Sequence, residues 1–263
     1  MTGIVTTNAD GVLRIVIDRP ERKGSLSPDA VQQMIEAIEA ASTDDALRVI
    51  VLSSSGPDFC SGADWVSTNT DTDVKPRTGS IQRRTPVQAH RLIALLMEVQ
   101  LPVVCAVRGW AAGLGCQLAL ASDFAVADED ATFWLPFAKR GFTPDSGSTW
   151  LLPRLIGMQR AKELAFFGDW IPAATAREYG LVNAIFEGST IEAAVDEKLV
   201  ALAERPPIAL AQIKQSLHRA SVLSMSEALE IEAVAQAACT STEDTAEGMR
   251  AFLEKRPPRF TGR

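Results

Sequence analysis

Short apolar runs alternate with amphipathic segments along the first part of the chain. Residues 4–7 and 12–17 are apolar or β-branched and flank the turn-forming residues 8–11, which predicts a β-hairpin. Apolar residues at helical spacing follow Ser27, a hydroxyl N-cap that stands before a proline. Residues 48–52 then form a continuous apolar run, which predicts a short buried strand.

The same alternation continues through the middle of the chain. The pattern predicts a helix over residues 90–99, a strand over 102–107, a loop over 108–112, a helix over 113–122 and a strand over 123–127. Strands that alternate with helices in this order are typical of an α/β protein with parallel strand pairing. We therefore expect an α/β fold.

The last part of the chain is almost entirely helical from Ile191 onward, and two consecutive prolines at 206 and 207 mark a boundary. We predict a core over residues 1–205 and a C-terminal helical region over 206–263. The apolar residues on the tail helices include Leu229, Ile231, Val234, Met249 and Phe252. A small appendage cannot bury such a stripe alone, so the pattern predicts that the tail mediates oligomerisation.

Charge and composition narrow the functional classes. The 263 residues include 26 Lys and Arg against 33 Asp and Glu, a net charge of −7, which disfavours general binding to nucleic acid or anionic membranes. No export signal or membrane-length apolar run is present, so we expect a cytoplasmic protein. Two histidines, and four cysteines without CxxC spacing, make a metal site unexpected.

Two segments that follow strands are rich in small residues, residues 59–65 and 109–117. Small residues let a backbone approach a ligand closely, and a helix N-terminus presents unpaired N–H groups. Together such groups could form an oxyanion hole for a thioester carbonyl. The alternative is that the glycines only permit tight packing. A Rossmann fingerprint is excluded, because Gly113-Leu114-Gly115 lacks the third glycine.

Seven short motifs occur in order along the whole chain. They are DRPERK (18–23), CSGAD (60–64), PVVCAVRG (102–109), AGLG (112–115), SD (122–123), PRLIG (153–157) and FLEKRPPRF (252–260). Their order and spacing resemble the crotonase (enoyl-CoA hydratase/isomerase) superfamily. The resemblance implies a crotonase-like spiral of ββα units with a C-terminal helical trimerisation region. It also implies a homotrimer, or a hexamer built as a dimer of trimers.

The resemblance further implies an acyl-CoA thioester as substrate, with no separate cofactor because coenzyme A is part of that substrate. In such enzymes two backbone N–H groups hold the thioester oxygen, and by position these belong to Ala63 and Leu114. The residues implied in binding the CoA part are Arg22, Lys23, Ser61, Ala63, Phe252 and Lys255, the last two reaching a neighbouring subunit's CoA. Without the resemblance, the basic residues among them would be interpreted as solvated surface charges. Gly24 and Ser25 stand where the family usually has Asn-Ala.

The acid and base residues decide which reaction is expected. Hydratases of this family hold water between two glutamates, whereas this chain has Gln117 and Phe137 at those places. An amide cannot take a proton near neutral pH, and a phenyl group cannot hydrogen-bond water as a carboxylate does. Asp145 lies in a stretch, residues 143–154, that resembles the branch whose acid moves a proton between carbons. We therefore expect an isomerase that uses Asp145, the alternative for this residue being a helix N-cap.

Three other functions stay open at this point. His90 lies where the family's dehalogenases carry a histidine base, so Asp145 and His90 could support covalent hydrolysis, although the assisting tryptophan of those enzymes is Phe137 here. An atypical hydratase could position water with Asp145 and Gln117. A non-catalytic acyl-CoA binder is the third alternative. The aromatic residues that line a substrate pocket, or else belong to the core, are Trp65, Trp134, Phe137 and Phe142, together with Trp150.

Overall fold

The computed structural model describes residues 3–64 and 87–263. Trp65, predicted to line the substrate pocket, lies outside these residues. The strands are β1 (Ile4–Ala9), β2 (Val12–Ile17), β3 (Val49–Ser54), β4 (Val103–Val107), β5 (Trp110–Ala112), β6 (Phe124–Asp128), β7 (Thr132–Trp134), β8 (Trp170–Pro172) and β9 (Ala184–Phe186). The helices are α1 (Pro28–Ala41), α2 (Ala89–Glu98), α3 (Leu114–Ala121), α4 (Ser148–Phe167), α5 (Ala173–Tyr179), α6 (Ile191–Ala203), α7 (Pro207–Ala220), α8 (Met225–Thr240) and α9 (Glu243–Glu254).

The larger sheet has the strand order β1-β2-β3-β4-β6-β9. Its first pair is antiparallel, and every later pair is parallel. Asp10 and Gly11 turn the chain between β1 and β2 with φ angles of 53° and 76°, the left-handed conformation that two-residue hairpin turns require. The predicted hairpin is therefore present, and the expected α/β class is confirmed.

A smaller sheet, β5-β7-β8, stands beside the larger one. Residues 108–112 were expected to be a loop, and this was wrong for β5. A parallel bridge joins Cys60 to Ala111, in which the N–H of Cys60 donates to the carbonyl of Trp110 at 2.9 Å. The N–H of Ala112 donates in turn to the carbonyl of Cys60 at 2.8 Å. The bridge places residues 60–64 beside the start of α3.

The hydrophobic core lies between the larger sheet and the helices that cover it. The two clusters of buried apolar side chains draw all their buried members from residues 12–199. Such burial removes roughly 25 cal/mol of unfavourable hydration per Å² of apolar surface, so the core stabilises the part of the chain before the tail. The boundary at residues 205 and 206 stays a prediction.

A buried lysine joins α7 to the core. The ammonium group of Lys214 donates to the carboxylate of Asp123 at 2.7 Å and to the carbonyls of Leu96 at 2.8 Å and Leu101 at 3.2 Å. Burial lowers the pKa of Lys214, and the negative charge of Asp123 opposes that effect. Because all three hydrogen bonds that Lys214 donates are to residues of the core, this side chain holds α7, the first helix of the tail, against the core.

The tail helices α8 and α9 leave large apolar side chains in solvent. Val234 is 71% exposed, Met249 64% and Phe252 80%, whereas Ile231 is partly buried. Across the described ranges, no helix combines the length and apolar character needed to cross a membrane. The exposed fractions of these side chains show that α8 and α9 carry an apolar surface that a single chain leaves uncovered.

Candidate active site

Two backbone segments come into contact where β5 leads into α3. A Cβ atom added to Gly62 would lie 3.0 Å from the carbonyl oxygen of Ala112 and 3.6 Å from the nitrogen of Leu114. Gly62 and Gly113 have φ angles of 103° and 52°, which side chains with a Cβ rarely adopt. Glycine is therefore required for the two segments to approach each other this closely.

The backbone N–H groups of Ala63 and Leu114 have no hydrogen-bond acceptor among the described residues. Ala63 pairs with Leu26 in a parallel bridge, but the donors there are the N–H groups of Leu26 and Asp64. Leu114 is the first residue of α3, where N–H groups have no acceptor within the helix. Both residues line one cleft of about 70 Å³, so the two predicted oxyanion donors lie together.

The same cleft collects several other residues that the sequence singled out. Those that line it are Ser61, Ala63, Leu114, Gln117, Phe137, Phe142 and Asp145. Among the lining residues that the structure describes, Asp145 is the only carboxylate. The described lining therefore combines one carboxylate with two backbone N–H groups that have no acceptor.

Gln117 holds Asp145 in place. The Gln117 side chain is only 1% exposed, and its Nε2 lies 2.7 Å from the carbonyl oxygen of Asp145 and 3.1 Å from the carboxylate Oδ1. The same Nε2 lies 2.8 Å from Oγ of Ser148, whose backbone N–H donates to the Asp145 carbonyl at 2.9 Å. Both the main chain and the carboxylate of Asp145 are thus oriented from one buried amide, while the residue itself stays exposed.

The alternative role of Asp145 as a helix N-cap is wrong. Gly147 occupies the N-cap position of α4, and no side chain makes a capping hydrogen bond there. Ser146 and Gly147 both have left-handed backbones, with φ angles of 44° and 80°. This turn leaves the Asp145 side chain free of any capping role.

An apolar wall stands at the place where hydratases carry their second glutamate. The ring of Phe137 packs edge-to-face on the ring of Phe142, with centroids 6.0 Å apart. Phe137 is 8% exposed and lines the cleft together with Phe142. This wall supplies no group that can take or give a proton.

Cysteine chemistry is excluded at this site. Burial raises the pKa of the Cys60 thiol and of the Cys116 thiol to about 12, so both stay protonated at neutral pH. These residues lie on the two segments that form the cleft, where they pack as small apolar groups. Neither thiol is therefore available as a nucleophile or base at neutral pH.

The loop predicted to line the CoA site is tied to the cleft. The backbone N–H of Ser61 donates to the carbonyl of Lys23 at 2.9 Å, and its hydroxyl lies 3.4 Å from the carbonyl of Arg22. A Cβ atom on Gly24 would lie 2.3 Å from the carbonyl oxygen of Phe59, which accounts for glycine at this position. The exposed side chains of Arg22 and Lys23 therefore project from a loop anchored beside Ala63.

Three described residues predicted for catalysis or the substrate pocket, Trp134, Trp150 and His90, lie outside the cleft. Trp134 packs edge-to-face on Trp110, and its indole N–H donates to the carbonyl of Gly168 at 2.7 Å. His90, on α2, borders a different cavity, and no hydrogen bond joins it to Asp145 in the described part of the chain. The side chains that would form an Asp–His pair are thus not paired.

The tail residues predicted to contact CoA do not reach the cleft of their own chain. Phe252 is 80% exposed on α9, and Lys255 is the exposed residue that ends this helix. Neither is among the residues that line the cleft. Their predicted role therefore requires a second subunit.

Some lining residues were not predicted from the sequence. They are Ala89, Pro136, Arg140 and Ser146. Ser148, the second acceptor of the Gln117 amide, was also not predicted. The run of Asp, Ser and Gly over residues 145–148, after a proline, is typical of a turn, so the sequence gives no signal that distinguishes either serine as a site residue.

Comparison with known proteins identifies the family. A family model described as enoyl-CoA hydratase/isomerase matches residues 7–263. The chain is 35% identical to the 1,2-epoxyphenylacetyl-CoA isomerase of Escherichia coli over 255 residues, 96% of each chain. It is 32% identical to the 2,3-dehydroadipyl-CoA hydratase of the same species, over 100% of both chains. Relatives thus carry both isomerase and hydratase names.

Solved structures of enoyl-CoA hydratases have the same fold as this chain. The enoyl-CoA hydratase of Bacillus anthracis matches with a TM-score of 0.93 and 29% identity, over 99% of this chain and 100% of that one. The enoyl-CoA hydratase of Polaromonas sp. JS666 matches with a TM-score of 0.91 and 31% identity, over 98% of this chain and 99% of that one. The predicted crotonase-like fold is therefore confirmed.

Proposed function

This chain belongs to the enoyl-CoA hydratase/isomerase family, and within it we propose that the protein is an acyl-CoA isomerase that moves a double bond by proton transfer through Asp145. The proposal depends on one observation. Among the described lining residues, a single carboxylate, held by a buried amide, shares the cleft with two N–H groups that have no acceptor in this part of the chain. The similarity to an epoxyphenylacetyl-CoA isomerase adds support.

The proposed reaction needs only these groups and the substrate's own CoA thioester. The N–H groups of Ala63 and Leu114 donate to the thioester oxygen, which stabilises the negative charge that forms when the α-carbon loses a proton. The Asp145 carboxylate accepts that proton and returns it to another carbon of the conjugated system. The double bond moves, the carboxylate is regenerated, and no water is consumed.

The cleft supports hydration less well. Adding water across a double bond requires one group to take a proton from water and a group to deliver one to carbon. The described lining provides one carboxylate, an amide at Gln117 and a phenyl ring at Phe137. The hydrolase alternative is also weaker, because His90 is not paired with Asp145.

The test is to incubate the protein with a panel of enoyl-CoA and phenylacetyl-derived thioesters. Mass spectrometry separates the two reactions, since hydration adds the mass of one water and isomerisation adds none, and absorbance follows conjugation. We expect mass-neutral conversion to be the faster reaction. Water addition as the main reaction would overturn the isomerase assignment.

Gln117→Glu separates the two functions by the sign of its effect. The substitution removes the donor that orients Asp145 and places a second carboxylate about 3 Å from the first. We expect isomerisation to fall about tenfold or more, because an unmade buried hydrogen bond costs about 1–3 kcal/mol. Two carboxylates this close repel each other unless one of them is protonated. The loss of thermal stability should therefore be larger at about pH 8 than at about pH 5. A gain in hydration would instead support the hydratase alternative.

We propose that the tail assembles the protein into trimers or hexamers. The apolar stripe of α8 and α9 is exposed in one chain, with Val234 71% and Phe252 80% exposed. Burying such side chains contributes about 1.5–3 kcal/mol each, which favours association. Sedimentation at micromolar concentration should show a trimer or hexamer, and Val234→Asp should shift it toward smaller species. A wild-type monomer would contradict the proposal.

CoA affinity should depend on Lys23 and, through a neighbouring subunit, on Lys255. Each ammonium group would make a charge-assisted contact with phosphate, worth about 1–3 kcal/mol, or about five- to 150-fold in affinity. Binding of free CoA by Lys23→Ala, Lys255→Ala and the control Lys162→Ala can be compared by calorimetry. Unchanged affinity in both test variants would show that the placement of CoA is wrong.

A further inference from the structure

A largely buried ion pair joins two of the motifs found in the sequence. The guanidinium of Arg19 donates from Nη2 to the Asp64 carboxylate at 3.2 Å, and the two side chains are 18% and 5% exposed. The same guanidinium donates from Nη1 to the backbone carbonyl of Ser25 at 2.8 Å. One side chain thus joins the loop after β2 to the residue that follows Ala63.

The surroundings of Arg19 leave its side chain little freedom. A Cβ atom on Gly3 would lie 2.4 Å from both Cγ and Cδ of Arg19, so a side chain at residue 3 would displace the arginine. The carbonyl of Arg19 accepts from the N–H groups of Arg22 and Gly24, each at 3.0 Å. Because guanidinium is a planar fork with fixed donor directions, a confined arginine sets the positions of the groups that accept from it.

The two bonds of the Arg19 guanidinium flank the pairing that orients the Ala63 N–H. The N–H of Leu26 donates to the Gly62 carbonyl at 2.9 Å, and the N–H of Asp64 donates to the Leu26 carbonyl at 2.8 Å. In a planar trans peptide the C=O and N–H bonds point in opposite directions. Since the Gly62 carbonyl faces Leu26, the N–H of Ala63 faces away from it. A shift of Leu26 would therefore change the direction of this N–H.

We propose that Arg19 is a positioning residue for the oxyanion hole. Its guanidinium holds the residue before Leu26 and the residue after Ala63, and thereby keeps the Ala63 N–H directed at the thioester oxygen. Arg19 is not among the residues that line the cleft, so it acts through the backbone. This assignment rests on the proposed function, which places the thioester oxygen between the N–H groups of Ala63 and Leu114.

Infrared spectroscopy of bound phenylacetyl-CoA tests this role, with ¹³C at the thioester carbonyl to separate its band from those of the protein. Hydrogen bonds that polarise a carbonyl lower its stretching frequency, so the wild type should shift the band below that of the free thioester in buffer. Arg19→Gln should lose most of this shift. It should also reduce kcat with a 3-enoyl-CoA substrate by about ten- to hundredfold, because a displaced donor stabilises the oxyanion less. An arginine needed only for folding would change stability and leave the carbonyl frequency of the folded protein unchanged.

Three further variants separate positioning from folding. Arg19→Lys retains the charge and serves if Arg19→Gln folds poorly; its shift should be intermediate, because an ammonium group lacks the fork that reaches both acceptors. Asp64→Asn should also reduce the shift, and adding it to Arg19→Gln should change little more, since both break one contact. The control Arg14→Gln breaks an exposed ion pair with Asp196, outside the cleft, and should retain the wild-type frequency and rate.

A folded Arg19→Gln protein with the wild-type carbonyl frequency would overturn the inference. Independent effects of Arg19→Gln and Asp64→Asn that add in the double variant would also overturn it. Absence of any shift in the wild type would overturn the oxyanion hole of the proposed function and, with it, this inference. Because the frequency is read without turnover, hydration as the main reaction would overturn only the isomerase assignment.

Discussion

Asp145→Asn is expected to reduce isomerisation by about 10²- to 10⁴-fold, the contribution typical of a general base. Asparagine retains the size of the side chain and an oxygen that can accept from Nε2 of Gln117, which lies 3.1 Å from Oδ1 in the native protein. Substrate binding should therefore change little, and the loss should fall on kcat rather than on KM. Steady-state kinetics with a 3-enoyl-CoA substrate measure both.

The control for this substitution is Asp130→Asn, which removes an exposed carboxylate outside the cleft. It should retain the wild-type rate. If Asp145→Asn instead kept its turnover and lost only thermal stability, Asp145 would be a structural acid and the isomerase assignment would fail.

Gly62→Ala is expected to reduce kcat by about 10²- to 10³-fold, the loss typical of removing one oxyanion donor. The φ of 103° strains any residue with a Cβ, and the new methyl group would lie 3.0 Å from the Ala112 carbonyl oxygen. Relief of this contact moves the Gly62–Ala63 peptide, and with it one of the two N–H donors. The strain should also lower the free energy of unfolding by about 1–3 kcal/mol.

Gly188→Ala is the matched control, because a Cβ atom there meets nothing within 4 Å. It should leave both rate and stability near their wild-type values. Rates must be expressed per folded protein, measured by circular dichroism. A folded Gly62→Ala protein with wild-type kcat would show that this segment does not carry the oxyanion donor.

The parts of the site that sequence could predict are those set by local backbone. Glycines at 62 and 113 indicated the close approach of two segments, and the absence of glutamate at 117 and 137 led to the expectation of an isomerase. The contact of Gln117 with Asp145 joins residues 28 positions apart, so no local pattern reports it. The left-handed backbone of Ser146 was equally hidden, since serine gives no sign of it.

Elements with strong local signals were predicted correctly from the sequence, whereas an element that forms through pairing with distant residues was not. The hairpin of β1 and β2 and the start of α1 have strong local signals, a turn sequence and an N-cap serine whose hydroxyl accepts from Ala30 at 3.2 Å. β5 has only three residues and forms through its bridge with Cys60 and its pairing with β7. Trp134 was expected in the substrate pocket on its aromatic character alone, whereas its position follows from pairing in that smaller sheet.

The most direct test of the central claim is deuterium exchange at the α-carbon of phenylacetyl-CoA in D₂O. This thioester has no double bond that can add water outside its ring, so exchange reports only the removal of an α-proton by a base beside an oxyanion hole. NMR or mass spectrometry should show deuterium incorporated by the wild type, with a rate reduced by about 10²-fold or more in Asp145→Asn. No incorporation above the enzyme-free rate, or equal incorporation by both proteins, would contradict the assignment of Asp145 as the base.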